Sequence, residues 1–280
     1  MALDTSDYVS FVLSFPNVSP ISVLTLFLLG LMRLAPIVAF APFLGSKLPG
    51  TVKMGLLISL TAVLLPHIIL TSARPAPVFD MTFFVYGLKE IFVGMIMAIL
   101  VSMPFYIAQS SGVLIDFMRG SSSLMVTDPF MQNQVSPIGL LYNYVFIVLF
   151  YQIGGPFIFF EGVMNSYSLL PIDSLIHTTF FTANKPFWLA IMGLLTKFLA
   201  LTIQLAAPSI VAILMAEMFL GIANRLAPQV QIAFLGMSIK SLLGIALLWA
   251  GWFFILQQIG KQSMQWLSFL DTLIKSIPRS

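Results

Sequence analysis

Long runs of apolar side chains alternate with short clusters of charge, proline, glycine and serine along the whole chain. A membrane-crossing helix needs about 20 mainly apolar residues. Cutting at the clusters predicts six such segments, over residues 20–45, 51–72, 82–112, 137–160, 186–220 and 233–260. The runs lack the alternation, over about ten residues, that marks barrel strands, and only helices and closed barrels satisfy every backbone group in hydrocarbon. The pattern therefore predicts an all-α polytopic membrane protein of about six hydrophobic, partly broken helices, folded as one integral membrane domain over 1–280. Three of the segments carry breaks or charge: the first contains Arg33 and Pro36, the third includes Lys89 and Glu90, and the fifth contains Lys197, Pro208 and Glu217. Such segments make poor helices in contact with lipid.

The links between segments are short where they turn and longer where chemistry is expected. Ser46-Lys47-Leu48-Pro49-Gly50 and Arg74-Pro75-Ala76-Pro77 read as turns, residues 120–136 as a central polar loop, and residues 161–185 as a mixed segment. In the tail, 261–280, Trp266, Leu270, Leu273, Ile274 and Ile277 recur at helical spacing. It reads equally as an amphipathic interfacial or partner-binding helix and as an extension of the last span. The first residues, MALDTSDY, carry Asp4 and Asp7 and no basic residue, so a mature terminus is expected in place of a signal peptide. Basic residues fall almost evenly on the two sides of a six-span arrangement, and the positive-inside rule does not orient it.

Composition strengthens the membrane reading. The 280 residues are 59% hydrophobic and only 8% charged, against about 25% charged in soluble domains. A soluble globule and a disordered chain are both excluded. The net charge of +3 comes without a basic run, so nucleic acid is not a partner. With no cysteine and two histidines, His67 and His177, lacking acidic partners at ligand spacing, no metal, cofactor or catalytic site is expected. No nucleophile motif or phosphate loop appears, which argues against a membrane enzyme.

Two features remain. Arg33, Lys89, Glu90, Lys197, Glu217 and Arg225 lie at or near membrane depth, where charge is costly. They read as structural or intersubunit pairs in preference to a proton or ion pathway. Adjacent Lys89 and Glu90 point in different directions on a helix and are expected not to form one self-contained site. The loop GSSSLMVTDPFMQNQ (120–134) joins a flexible Gly-Ser start to a Thr127-Asp128-Pro129 turn, yet displays Leu124, Met125, Phe130 and Met131. Methionine adapts its packing to changing surfaces, so the loop reads either as a plug sealing an aqueous passage or as a surface loop tucked onto its own bundle. Arg33-Leu34-Ala35-Pro36 also recurs as Arg225-Leu226-Ala227-Pro228, each followed by Phe-Leu-Gly. The two copies fall in parallel segments and do not form an inverted repeat, and coincidence in so apolar a chain explains them equally well.

Two stretches carry a resemblance to a known family. One is Gly112-Val113-Leu114-Ile115-Asp116-Phe117-Met118-Arg119-Gly120, followed by Asp128-Pro129, Ser136-Pro137-Ile138-Gly139, Gly154-Gly155 and Ser166-Tyr167. The other is Ala223-Asn224-Arg225-Leu226-Ala227-Pro228-Gln229-Val230, continuing to Gly236-Met237-Ser238-Ile239-Lys240-Ser241. In order and spacing the chain resembles the T-subunit of bacterial type III secretion export gates, related to flagellar FliR, and its Asp-x-x-Arg-Gly stretch looks more like the injectisome branch.

The resemblance implies a non-enzymatic subunit in the bacterial inner membrane. It implies assembly with two smaller gate subunits (R/FliP-like and S/FliQ-like), an autoprotease switch subunit and a large export-gate protein, with unfolded secreted proteins in transit. It nominates Ser121, Ser122, Ser123, Leu124, Met125, Asp128, Pro129, Phe130 and Met131 as plug or gate residues. Asp116, Arg119, Arg225, Pro228 and Lys240 become assembly or entrance residues. A flagellar export-gate subunit is the nearest alternative, and a secondary transporter for a small solute is a more distant one.

Overall fold

The computed structural model describes residues 19–45, 48–72, 80–120, 126–127, 134–174, 186–226, 232–250, 253–258, 260–261 and 266. Along them run α1 (Pro20–Phe40), a short 3-10 turn (Pro42–Leu44), α2 (Gly50–Thr71), α3 (Met81–Met118), β1 (Val126–Thr127), β2 (Gln134–Val135), α4 (Pro137–Gln152), α5 (Gly155–Leu169), α6 (Pro186–Leu226) and α7 (Ile232–Ala250). The described residues are all-α apart from the two-residue antiparallel ladder, in which Val126 faces Val135 and Thr127 faces Gln134. Among the described residues α1, α2, α3 and most of α6 are long and apolar enough to cross a membrane, and α4 with α5 makes a fifth crossing if counted as one broken span.

Local chemistry sets the helix ends. Ser19 caps α1 by accepting from the Ser22 amide at 3.1 Å, and Pro20 follows at the first helical position. Ser136 and Pro137 repeat that arrangement at α4. Prolines at 36, 66, 104 and 208 do not end their helices. In an apolar setting neighbouring helices and side chains re-satisfy the freed backbone groups, so the breaks expected at Pro36 and Pro208 are absent. The third and fifth segments extend beyond their expected ends, to Met118 and Leu226.

The fourth segment, expected as one span over 137–160, is two helices. Ile153 and Gly154 close α4, Gly154 takes a left-handed φ of 73°, and α5 leaves at a bend of 74°. Gly154-Gly155-Pro156 supplies the break, a glycine adopting positive φ without steric cost, and a count of apolar residues does not sense it. α5 then continues to Leu169, so the first part of the segment expected to be mixed is helix.

The chain packs as two compact units. The first comprises the described residues of Met1–Ser102, Phe157–Ala190 and Phe269–Ser280. Its core is a stripe on α1, with Leu26, Leu29, Arg33, Leu34 and Ile37 buried at the i, i+3, i+4 spacing of one helical face. α1 meets α3 along a face of small residues. A Cβ on Gly87 would come within 2.6 Å of Met32 Sδ, and one on Gly94 would collide with the Arg33 carbonyl oxygen and lie 2.9 Å from its carbon. Small residues let helix backbones approach closely.

The second unit comprises the described residues of Met103–Pro156 and Ile191–Ser268. Ile138, Tyr142, Phe146 and Phe150 form the buried stripe of α4. Phe105 of α3 packs edge-on against Phe146 and Phe150, with ring centroids 4.8 and 5.2 Å away. Gly112 and Gly139 bring α3 and α4 together, since a Cβ on Gly112 would lie 2.6 Å from the Gly139 N and Cα.

Candidate functional site

Among the described residues each unit contains one buried ionic cluster. In the first, Gly87, Glu90 and Gly94 fall at i, i+3 and i+7 on α3, and the close approach that the glycines permit delivers Arg33 to the Glu90 carboxylate. Arg33 Nε donates to Glu90 Oε2 and Nη2 donates to Oε1 at 2.9 Å, a two-pronged pair with both side chains fully buried. The guanidinium also donates to Ser166 Oγ at 3.2 Å and to the Leu170 carbonyl at 2.7 Å, and lies over the Tyr167 ring, 4.0 Å from its centroid.

Lys89 completes the cluster. Its ammonium reaches Glu90 Oε1 at 2.7 Å and donates to the carbonyls of Pro171, Ile172 and Ser174 at 2.7, 3.2 and 2.9 Å. The expectation that Lys89 and Glu90 cannot share one site is therefore wrong. The Cβ directions do diverge, but the long lysine stem curls back to the carboxylate. Two cations thereby hold the carbonyls just past the C-terminus of α5, where positive charge complements the helix dipole.

The sequence did not give Ser166, Tyr167 or the 170–174 carbonyls this role. The Gly-x-x-Glu-x-x-x-Gly spacing on α3 is the signal that could have found the Glu90 face. Buried ion pairs formed within the chain are what the structural reading of these charges predicts.

In the second unit the cluster stands at the foot of the polar loop. Asp116 Oδ2 accepts from Ser136 Oγ and from the Ile138 amide at 2.9 Å, while Oδ1 pairs with Arg119 Nη2 at 2.6 Å. Ser136 Oγ in turn accepts from the Gly139 amide at 2.9 Å. Two of the orphan amides at the start of α4 are thus satisfied, one by its own cap and one by a carboxylate from the end of α3. Arg119 is buried, its Nε without a hydrogen-bond partner among the described residues, and Gly244 of α7 lies beside its stem, a Cβ there falling 3.4 Å from Arg119 Cδ. Immediately beyond, Gly120 turns with a φ of 79°.

The proposed plug residues Ser121, Ser122, Ser123, Leu124, Met125, Asp128, Pro129, Phe130 and Met131, with Pro228 and His177, lie outside the described residues. Lys240, for which the sequence suggested no partner, pairs with Glu217 between α7 and α6. Arg225 is exposed near the end of α6 with no ion-pair partner among the described residues. Lys197 is also exposed. His67 donates a ring N–H to the Met164 carbonyl at 3.0 Å. Among the described residues no three His, Cys, Asp or Glu gather as metal ligands.

The described residues thus form a helical membrane protein with several apolar spans and two buried ionic clusters. Residues 24–266 match the family described as bacterial export proteins, family 1, and the chain belongs to it. It is 30% identical to the surface presentation of antigens protein SpaR of Shigella sonnei over 76% of this chain and 79% of that protein. It is 29% identical to the Yop proteins translocation protein T of Yersinia pestis over 68% and 70% of the two chains. With the flagellar biosynthetic protein FliR of Escherichia coli (strain K12) it shares 24% over 81% and 84%. The export role read from the sequence is the one that the family's description names.

Proposed function

We propose that this chain is a non-enzymatic subunit of a type III secretion export gate in the bacterial inner membrane, built against other membrane subunits, with the 120–136 loop helping to seal the passage for unfolded protein. The length and exposure of α6 support this reading most directly. Its 41 residues extend about 60 Å at 1.5 Å per residue, whereas the hydrocarbon core is about 30 Å thick. Even a tilt of about 40° leaves a height of roughly 45 Å.

Yet exposed apolar side chains run the length of the helix, from Leu189 and Met192 through Ile203 and Val211 to Phe219 and Leu226. Only 28% of its apolar stretch is buried within the chain, against 61% for α3. Lipid covers at most part of that face, and apolar helices of partner subunits cover the remainder. The two smaller gate subunits fit this place, with the switch subunit and the large export-gate protein nearby. The injectisome system is favoured over the flagellar one because the relatives named for antigen presentation and Yop translocation share 29–30% identity and the FliR proteins 24–25%. A solute carrier is set aside, since the family is one of export proteins.

Purification of the tagged chain from cells expressing the neighbouring export genes should recover a large complex with two other small membrane proteins. A stable monomer that binds a solute would overturn the reading. Deleting residues 121–134 should make the reconstituted complex leak ions while assembly persists; unchanged conductance would remove the loop from the seal.

A further inference from the structure

The loop's two stems are tied to each other far more firmly than a surface loop requires. Going outward, they are joined first by the Gly112–Gly139 backbone contact, then by Asp116 with Ser136 and Ile138, and then by the Val126–Val135 and Thr127–Gln134 ladder. The middle tie is a carboxylate 4% exposed, so separating the stems would strand a buried anion and leave the Ile138 amide at the start of α4 without its acceptor in one movement. Arg119, itself 9% exposed, adds a charge to that cost, and Gly244 of α7 backs its stem.

We propose that these stems form a fixed post that stays paired while substrate passes, and that Asp116 is the positioning residue of the post. Asp116 and Arg119 are then internal to the chain and are not contacts to another subunit. The inference rests on the reading of the loop as part of the seal. Any opening of the passage takes place beyond the post, and α3 and α4 do not part at their loop ends.

The chain contains no cysteine, so a Val126→Cys, Val135→Cys pair would introduce the only thiols in this subunit, at facing ladder positions. In the full complex, oxidation should close the disulfide at rest, and export should proceed equally in the oxidised and reduced forms. Loss of export on oxidation, restored by reductant, would overturn the fixed post while leaving the loop's sealing role intact. Failure of the pair to cross-link in the assembled complex would equally overturn it, because the stems would not be paired there.

Asp116→Asn supplies a second measurement. The amide oxygen can keep the bonds from Ser136 and Ile138 but loses the charge that pairs Arg119, whereas Asp116→Ala loses all three. Resting conductance per recovered complex should rise from wild type to Asp116→Asn to Asp116→Ala. If Asp116→Ala does not assemble, the Asn variant carries the comparison. A normal resting conductance in Asp116→Asn with reduced complex recovery would return Asp116 to an assembly role. An unchanged conductance on deleting residues 121–134 is a separate result that overturns the sealing role itself.

Discussion

Arg-Leu-Ala-Pro occurs twice, and its two arginines have opposite fates. Arg33 is fully buried, held by Glu90, Ser166, the Leu170 carbonyl and the Tyr167 ring. Arg225 is exposed one residue from the end of α6, among the exposed Met218, Phe219, Ile222 and Leu226. The tetrapeptide is the same, so the difference lies in what each helix meets. α1 meets a face of α3 with glycines at 87 and 94 and a carboxylate between them, which brings the backbones close enough for a two-pronged pair. Among the described residues Arg225 meets no such face. A buried charge in this protein is thus specified by the partner surface, and the local motif only supplies the cation.

The sharpest way to break the comparison is to take the carboxylate from Arg33. Glu90→Gln leaves two buried cations, Arg33 and Lys89, facing an uncharged amide. Removing one partner from a buried pair costs roughly 3–5 kcal/mol, and here the loss also loosens the carbonyls that follow α5. The complex carrying Glu90→Gln should be recovered poorly and should melt well below wild type. A Tm equal to wild type would show that the pair contributes nothing to stability.

The glycines of α3 can be tested separately from the charge. In Gly94→Ala the new methyl collides with the backbone oxygen of Arg33, and backbone cannot swing aside as a flexible side chain can. The helices must separate, an overpacking cost of about 1–3 kcal/mol, and the Arg33–Glu90 geometry loosens with them. Gly55→Ala is the matched control, because a Cβ there meets nothing within 4 Å. It should be neutral or slightly stabilising, by up to about 1 kcal/mol, as alanine for glycine in a helix. Equal melting of the two variants would remove close approach as the reason for Gly94.

These contrasts also show which parts of the structure were legible in the sequence. Apolar run length located the helices because the bilayer imposes a length on the chain and composition reports burial from water. It did not locate the bend at Gly154, since Gly154-Gly155-Pro156 interrupts the backbone without interrupting hydrophobicity, nor the continuity through Pro36 and Pro208, since helices in an apolar setting tolerate proline.

Arg33, Lys89, Glu90 and Glu217 were recognised as paired, but not with whom. Arg33 and Glu90 are 57 positions apart, and only the spacing Gly87, Glu90, Gly94 hints at the meeting. Lys89 was misjudged because Cβ direction says little about where a four-carbon stem ends. Asp116 and Ser136 were visible as motif residues, but their shared role in capping α4 follows only from the folded ends of α3 and α4.

Arg225→Ala has the smallest expected effect on the chain and the most telling one on its assembly. Lacking an ion-pair partner among the described residues, the exposed guanidinium contributes little to the fold, in the range of about 0–1 kcal/mol for exposed charges, so the subunit's own helicity and membrane insertion should not change. If Arg225 meets its carboxylate on a neighbouring subunit, as Arg33 meets one inside the chain, recovery of the complex should fall while the resting conductance of whatever assembles stays at the wild-type level. Truncating one partner of a desolvated intersubunit charge pair typically costs about 2–5 kcal/mol of binding, a loss that quantification of the co-purified subunits would register. Normal recovery with reduced export would place Arg225 on the path of the substrate, and the likeness between the two Arg-Leu-Ala-Pro copies would then end at their sequence.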